Sequence, residues 1–105
     1  MKAQLCCAAV VCLILPGRAA AAETVQIKIN DLAFSPTEVT AKVGDMVEWT
    51  KGDFVDHTAT DKAGAWDVAI PAGKSAQLKL TSPGTFAYYC KVHPGMTGTI
   101  HVDAK

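Results

Sequence analysis

Seven residues near the C-terminus bring together three side-chain types that bind soft metals. The segment CKVHPGM, residues 90–96, carries a thiol at Cys90, an imidazole at His93 and a thioether at Met96, each three residues apart. Thiolate and thioether sulfur favour copper, especially Cu(I), and imidazole accepts either copper oxidation state. A loop of this length can direct its side chains toward one point, so the segment predicts part of a copper site.

A second imidazole would complete the set of two His, one Cys and a weaker axial Met that defines a blue-copper site. The sequence offers three histidines. His101 lies in the last predicted strand, on the face opposite Ile100 and Val102, and we expect it at the surface. His57 lies in a strand that can reach the same end of the domain as the Cys90 loop. His57 is therefore the candidate, by elimination and by topology.

The first 22 residues have the features of a secretory signal. Lys2 provides the positive start, residues 3–15 are apolar except for Gln4, and the small residues 19–22 predict cleavage before Glu23. The apolar run is shorter than the ~20 residues of a membrane helix, and no later segment approaches that length, so we expect no membrane insertion of the mature chain, residues 23–105. A buried N-terminal helix is the alternative. The protein is expected to be exported, to the periplasm if the source is bacterial.

Removal of residues 1–22 leaves Cys90 as the only cysteine of the four. In an oxidising compartment a lone cysteine cannot form an internal disulfide, and an exposed thiol tends to pair between molecules. Cys90 is therefore expected either to be buried and inert or to be held by a ligand.

The apolar residues of the mature chain recur with a period of two, which is typical of half-buried strands. Strands are predicted over 24–29, 39–43, 46–50, 55–60, 77–80, 85–90 and 98–102. Residues 63–73 look irregular, with Trp66, Ile70 and Pro71 folded over an end of the domain. About seven short strands separated by turn residues predict one all-β domain, a Greek-key antiparallel β-sandwich.

These motifs also carry a resemblance to a known family. The segment PGTFAYYCKVHPGMTGTIHV, residues 83–102, resembles the C-terminal part of the cupredoxins, the plastocyanin-like blue copper proteins. FSPTEV at 34–39 and VGDMVEWTKGDFVDHTAT at 43–60 look like the earlier strands and first ligand loop of that family. The two-residue gaps on either side of His93 are most similar to the amicyanin type.

The resemblance implies a plastocyanin-like copper-binding domain over residues 23–105. One copper ion per chain, cycling between Cu(I) and Cu(II), would be held by His57, Cys90, His93 and Met96. The implied function is that of an exported type 1 copper protein that carries single electrons. Transient redox partners would dock on apolar residues near His93, and a monomer is expected. The alternative is a copper-binding module for scavenging, storage or delivery of copper, which would use the same ligands.

Two residues depart from the amicyanin pattern. Thr58 replaces the Asn that usually follows the first ligand, so a weaker side-chain tie to residues 90–96, hereafter the ligand loop, is expected. The Thr58 N–H should still reach the Cys90 sulfur. Val92 replaces a proline and should add an N–H donor near the same sulfur. Donation to this sulfur lowers its electron density and raises the redox potential.

Other function classes are disfavoured. Copper oxidases and nitrite reductases need additional histidine ligands, and only His101 is unassigned; a Cys–His hydrolase would need an orienting group and an oxyanion hole. Zinc rarely takes a thioether ligand. The mature chain keeps eight lysines and ten acidic residues, a formal charge of −2, which gives no indication of nucleic-acid binding. Six charged residues lie near the predicted ligands, and they could either steer a partner protein or simply be solvated. They are Asp53, Asp56, Asp61, Asp67, Lys74 and Lys91.

Overall fold

Nine strands run through residues 21–50 and 54–105, the parts of the chain that this computed structural model describes. The predicted leader lies outside the described residues except for Ala21 and Ala22. The strands are β1 (Thr24–Asn30), β2 (Ala33–Ser35), β3 (Glu38–Lys42), β4 (Met46–Thr50), β5 (His57–Asp61), β6 (Asp67–Ile70), β7 (Ala76–Lys79), β8 (Gly84–Tyr89) and β9 (Thr97–Asp103). None of the described residues forms a helix long and apolar enough to cross a bilayer.

The strands form two sheets. One has the order β2-β1-β4-β7 and the other the order β3-β9-β8-β5-β6. Alternation places one face of each sheet in the core: β4 buries Val47 and Trp49, and β9 buries Ile100 and Val102. This is the predicted all-β sandwich.

Two features of the sandwich differ from the expectation. The β1–β4 and β3–β9 pairs are parallel, whereas the other pairs are antiparallel. Apolar alternation identifies a strand but carries no information about the direction of its neighbour. In addition, β2 lies between the strands predicted over 24–29 and 39–43, and β6 lies in the segment 63–73 that was expected to be irregular, so the strand count is nine rather than seven.

An aromatic cluster occupies the middle of the core. Trp49 and Tyr88 are fully buried, their rings meet edge to face at 5.6 Å between centroids, and the Trp49 Nε1–H donates to the Tyr88 hydroxyl at 3.3 Å. Trp66 closes over both rings, at 6.1 Å from Trp49 and 5.7 Å from Tyr88. Burial raises the pKa of Tyr88 to about 12, so this residue is a neutral core side chain at physiological pH.

Gly98 makes room for Tyr88. The two residues are direct partners across β8 and β9, and a Cβ on Gly98 would lie 2.5 Å from the Tyr88 ring. Because Tyr88 comes two residues before Cys90 and Gly98 two after Met96, this close pairing fixes both strands at the base of the ligand loop.

Candidate metal centre

Two segments at one end of the sandwich supply the predicted ligands. His57 is the first residue of β5. Cys90 follows the last residue of β8, His93 lies in the connecting loop, and Met96 precedes β9. Antiparallel pairing of β5 with β8, with Thr60 opposite Tyr89, brings the start of β5 beside the end of β8.

The ligand loop is closed by its own backbone. The Cys90 N–H donates to the Met96 carbonyl at 3.0 Å, and the Met96 N–H donates to the His93 carbonyl at 2.8 Å. The first bond joins the two ends of the loop, and the second makes a turn over its last residues. These bonds hold a seven-residue segment in a tight curl without a helix.

Three of the four predicted ligands converge. The potential ligand atoms of His57, Cys90 and His93 all lie within 4.8 Å of one another. The His57 Nδ1 is 3.7 Å from the Cys90 Sγ, and the two imidazole centroids are 5.2 Å apart. His57 and Cys90 are buried at 3% and 0% exposure, so a metal held between them would be shielded from solvent.

The His93 Nδ1 points to a missing ligand. In residues 21–50 and 54–105 it is the one buried side-chain nitrogen or oxygen that has no hydrogen-bond partner. Buried polar atoms normally have partners, because an unsatisfied one costs about 1–3 kcal/mol. A metal ion between His57, Cys90 and His93 would satisfy this nitrogen.

The surroundings of Cys90 favour its thiolate. Burial alone raises the pKa of the thiol, but hydrogen bonds to the sulfur outweigh it and lower the pKa from 9.0 to about 7. The donors are the Thr58 N–H, at 3.4 Å, the His57 ring, and the backbone N–H groups of His93 and Val92. Because the thiolate is the form that binds metal, the site presents a soft anionic sulfur with two imidazoles, a set that fits copper.

Comparison with known proteins agrees with this geometry. A family model described as a cupredoxin-like domain matches residues 4–102. The chain belongs to the cupredoxin-like family. It is 34% identical to amicyanin-alpha of Methylorubrum extorquens, over 80% of this chain and 76% of that protein. It is 32% identical to plastocyanin of Prochlorothrix hollandica, over 87% of this chain and 82% of the relative.

A solved structure shows the same cupredoxin architecture. The amicyanin of Paracoccus versutus superposes with a TM-score of 0.66 at 26% identity, covering 83% of this chain and 86% of that one. The resemblance inferred from residues 34–39, 43–60 and 83–102 is thereby confirmed at the level of the whole fold.

The remaining sulfur and the remaining histidine lie in different surroundings. Met96 is 2% exposed and adjoins the three-residue group along the loop, and its role as the fourth ligand stays a prediction. His101 lies on the outer face of β9, where its Nδ1 is 3.4 Å from the Thr85 hydroxyl and its Nε2 is 3.6 Å from the Glu38 carboxylate. The expectation that His101 faces outward is confirmed.

Thr58 makes a side-chain hydrogen bond to the ligand loop at the position where amicyanins usually have Asn. Its Oγ1 accepts the Lys91 N–H at 2.9 Å, while its own N–H donates to the Cys90 sulfur. A side-chain tie to the loop is therefore present, because a threonine hydroxyl at this cross-strand position can accept the Lys91 N–H. The expectation that this tie is weaker than that of an Asn stays a prediction.

Sequence reasoning missed what the nearby charges do. Lys91 and Asp67 pair with each other at 2.7 Å, and Asp67 also accepts from Thr60 at 2.8 Å. Asp61 is buried and accepts the Ala65 N–H at 2.8 Å. Asp56 accepts the Ala72 N–H at 2.8 Å, and Asp53 lies outside the described residues. Three of the four acidic residues, Asp56, Asp61 and Asp67, thus hold local structure.

Proposed function

We propose that this protein binds one copper ion through His57, Cys90, His93 and Met96 and carries single electrons between partner proteins. The observation that carries the proposal is the unpartnered, buried Nδ1 of His93 beside a thiol whose surroundings stabilise its thiolate. Amicyanins and plastocyanins, its relatives, are blue copper electron carriers rather than enzymes. Copper would supply a one-electron change between Cu(I) and Cu(II).

The contribution of the protein is a set of ligands that move little. His57 is fixed by β5, and Cys90 and Met96 are fixed by the hydrogen bond between the two ends of their loop. The imidazoles of His57 and His93, the Cys90 thiolate and the Met96 thioether would hold the copper, and this set of donors would suit both copper oxidation states. Ligands held this way favour rapid electron exchange, because little rearrangement accompanies the change of charge.

We further propose that partners dock at the end of the sandwich that carries the ligand loop. The large apolar residues exposed in the described parts of the chain are Leu32 at 53%, Phe54 at 88%, Val55 at 45% and Val92 at 52%. All four lie in loops that leave the strands at this end, because β1 and β4 run in parallel toward it and β5 begins there.

An apolar surface of this kind fits the small, transient contacts of electron-transfer proteins. His93 is half-buried although its Nδ1 is fully buried, so its exposed surface lies on other atoms. These atoms offer the route for electrons from the ligand set to a docked partner. The protein itself is proposed to act as a monomer.

Export with cleavage after Ala22 is also proposed. The Glu23 N–H donates to the Asp45 carboxylate at 2.9 Å, and the Lys42 N–H donates to its other oxygen at 2.9 Å. These bonds hold the pKa of Asp45 below its ordinary value. Cleavage would turn the Glu23 nitrogen into a charged α-amino group beside this carboxylate, which supports Glu23 as the mature N-terminus. The mass of the secreted protein checks the position, and a mature chain that begins elsewhere would contradict it.

The carrier role is tested on the copper-loaded mature chain. Voltammetry should give a reversible one-electron wave, and copper should stay bound through repeated oxidation and reduction. A copper-delivery module would instead pass its copper to an acceptor apoprotein in either oxidation state. Loss of copper on each reduction, or transfer that outpaces electron exchange, would contradict the carrier role while leaving the copper site in place.

A further inference from the structure

A closed ring of hydrogen bonds joins the ligand loop to the edge of its sheet. The Lys91 N–H donates to the Thr58 Oγ1 at 2.9 Å, the Thr58 and Thr60 hydroxyls are 2.9 Å apart, and the Thr60 hydroxyl donates to the Asp67 Oδ1 at 2.8 Å. The Lys91 Nζ donates to the other Asp67 oxygen at 2.7 Å. One carboxylate on β6 therefore reaches both the backbone and the side chain of the residue that follows Cys90.

The strand register explains why these groups meet. Thr60 pairs with Asp67 on one side and with Tyr89 on the other. Thr58 and Thr60 share the outer face of β5, because His57, Ala59 and Asp61 occupy the buried positions. Lys91 lies two residues beyond Tyr89, beside Thr58, and its side chain crosses the outer face of β5 to reach β6.

The charge of Asp67 sets the direction of the two hydrogen bonds that the threonine hydroxyls donate. A carboxylate only accepts hydrogen bonds, so the Thr60 hydroxyl must give its proton to Asp67. The Thr60 oxygen then accepts the Thr58 hydroxyl proton, which leaves the Thr58 oxygen to accept the Lys91 N–H. Bonds that point the same way along a chain polarise and strengthen one another. The ion pair between Lys91 and Asp67 lowers the pKa of the Asp67 carboxyl group and raises that of the Lys91 amine, so Asp67 stays ionised.

The ring acts on the same residue that contacts the sulfur. Thr58 receives the Lys91 N–H with its side chain and donates its own N–H to the Cys90 Sγ at 3.4 Å. A shift of Thr58 away from the loop would lengthen both bonds. The Asp67 charge itself is half exposed and screened, so the effect on the site is transmitted by geometry and not by its field.

We propose that Asp67 and Thr60 are positioning residues for the metal site: they orient the Thr58 hydroxyl and thereby hold the Cys90 sulfur against the Thr58 N–H. The proposal rests on the copper function argued above and extends it to two residues that touch none of the four ligands. An exposed ion pair alone contributes little to stability, so the ring is assigned a geometric role.

The test compares three variants. Thr60→Val keeps the shape of the side chain but removes the hydroxyl and so breaks the ring, whereas Thr60→Ser retains the hydroxyl. Thr40→Val makes the same substitution on β3, at the opposite edge of the same sheet, and is the matched control. In copper-free protein, Thr60→Val should speed hydrogen exchange of the Lys91 amide roughly five- to tenfold relative to the amides of β9. In copper-loaded protein it should lower the midpoint potential, because weaker donation leaves more electron density on the sulfur.

The expected pattern is that Thr60→Ser and Thr40→Val resemble the unaltered protein in both measurements. Unchanged Lys91 exchange or an unchanged potential in Thr60→Val would overturn the proposal, as would equal effects from Thr40→Val. Failure of the unaltered chain to bind copper would contradict the proposed function instead, and the exchange measurement would still decide whether the ring holds the loop.

Discussion

At the scale of single residues, the hydrogen bonding of two buried groups, the Cys90 thiol and the His93 imidazole, characterises the site. Cys90 receives hydrogen bonds from Thr58, His57 and the backbone of its own loop, whereas the His93 Nδ1 receives none in the described part of the chain. Ordinary core packing would leave the thiol protonated and would give the imidazole a partner. This combination is the one expected of a ligand set whose common partner is a metal ion, as proposed above.

The copper-free protein should become more stable as the pH rises from about 7 to about 9. The folded-state pKa of Cys90 is about 7 and its ordinary value is 9.0. Its contribution is therefore complete above pH 9 and is lost as the pH falls through 7, with an upper size of roughly 2–3 kcal/mol. Chemical unfolding across this range measures the slope. The slope should vanish in Cys90→Ser, and its persistence there would show that another group causes it.

Val92→Pro should lower the midpoint potential of the copper-loaded protein. The Val92 N–H is among the donors that stabilise the Cys90 thiolate, and proline has no N–H. The sulfur would then hold more electron density, which favours the oxidised metal. Val92→Ala, which retains the amide, is the matched control. A midpoint potential that is unchanged or higher in Val92→Pro would contradict this explanation.

At the scale of elements, strand pairing assembles the site from distant segments. The start of β5 and the loop between β8 and β9 meet only because β5 and β8 are neighbours in the five-stranded sheet. The Tyr88–Gly98 pair then sets how closely β8 and β9 approach at the base of the loop.

Gly98→Ala should destabilise the copper-free protein by about 1–3 kcal/mol. The new methyl group would lie 2.5 Å from the Tyr88 Cζ, and this ring is held by Phe34 at 4.8 Å and Trp49 at 5.6 Å. Gly95→Ala is the control, because a Cβ there meets nothing within 4 Å. Thermal or chemical unfolding provides the measurement, and equal stability of the two variants would rule out the close-packing explanation.

The strands also show which parts of the fold could be predicted from the sequence. Alternation identified β1, β4 and β9 because their inward residues are uniformly apolar. Alternation missed β2, because three residues are too few to show a pattern. It missed β6 because the apolar Ala69 lies between the inward-facing Val68 and Ile70, so apolar and polar residues do not alternate there.

The same limit applies to the site. Local spacing predicted Cys90 and His93, and elimination predicted His57. The ring through Thr60 and Asp67 could not be predicted, because Asp67 and Lys91 are 24 residues apart in sequence and meet only through the strand register.

At the scale of the whole molecule, the predicted metal ligands and the exposed apolar residues lie at the same end of the sandwich. The ligand loop and the exposed residues Leu32, Phe54 and Val92 all lie there. The nearby charges Asp67 and Lys91 neutralise each other, so apolar contact rather than charge should dominate docking.

Phe54→Ser should slow electron self-exchange roughly five- to tenfold, because an exposed aromatic side chain at the centre of a contact often dominates its binding energy. The absorption spectrum and midpoint potential should not change. Pro83→Ser, in an exposed loop beyond β7 at the other end of the sandwich, is the control. Magnetic resonance line broadening in mixtures of oxidised and reduced protein gives the rate. An unaltered rate in Phe54→Ser, or a strong dependence on ionic strength, would contradict apolar docking at this end.

The copper site itself is tested most directly by titrating the mature chain, residues 23–105, with Cu(II). We expect one equivalent to bind with intense visible thiolate-to-copper absorption and narrow copper hyperfine splitting in the electron spin-resonance spectrum, and we expect Cys90→Ser to lose both. A colourless protein that retains no copper would contradict the assignment of His57, Cys90, His93 and Met96 as a blue-copper ligand set.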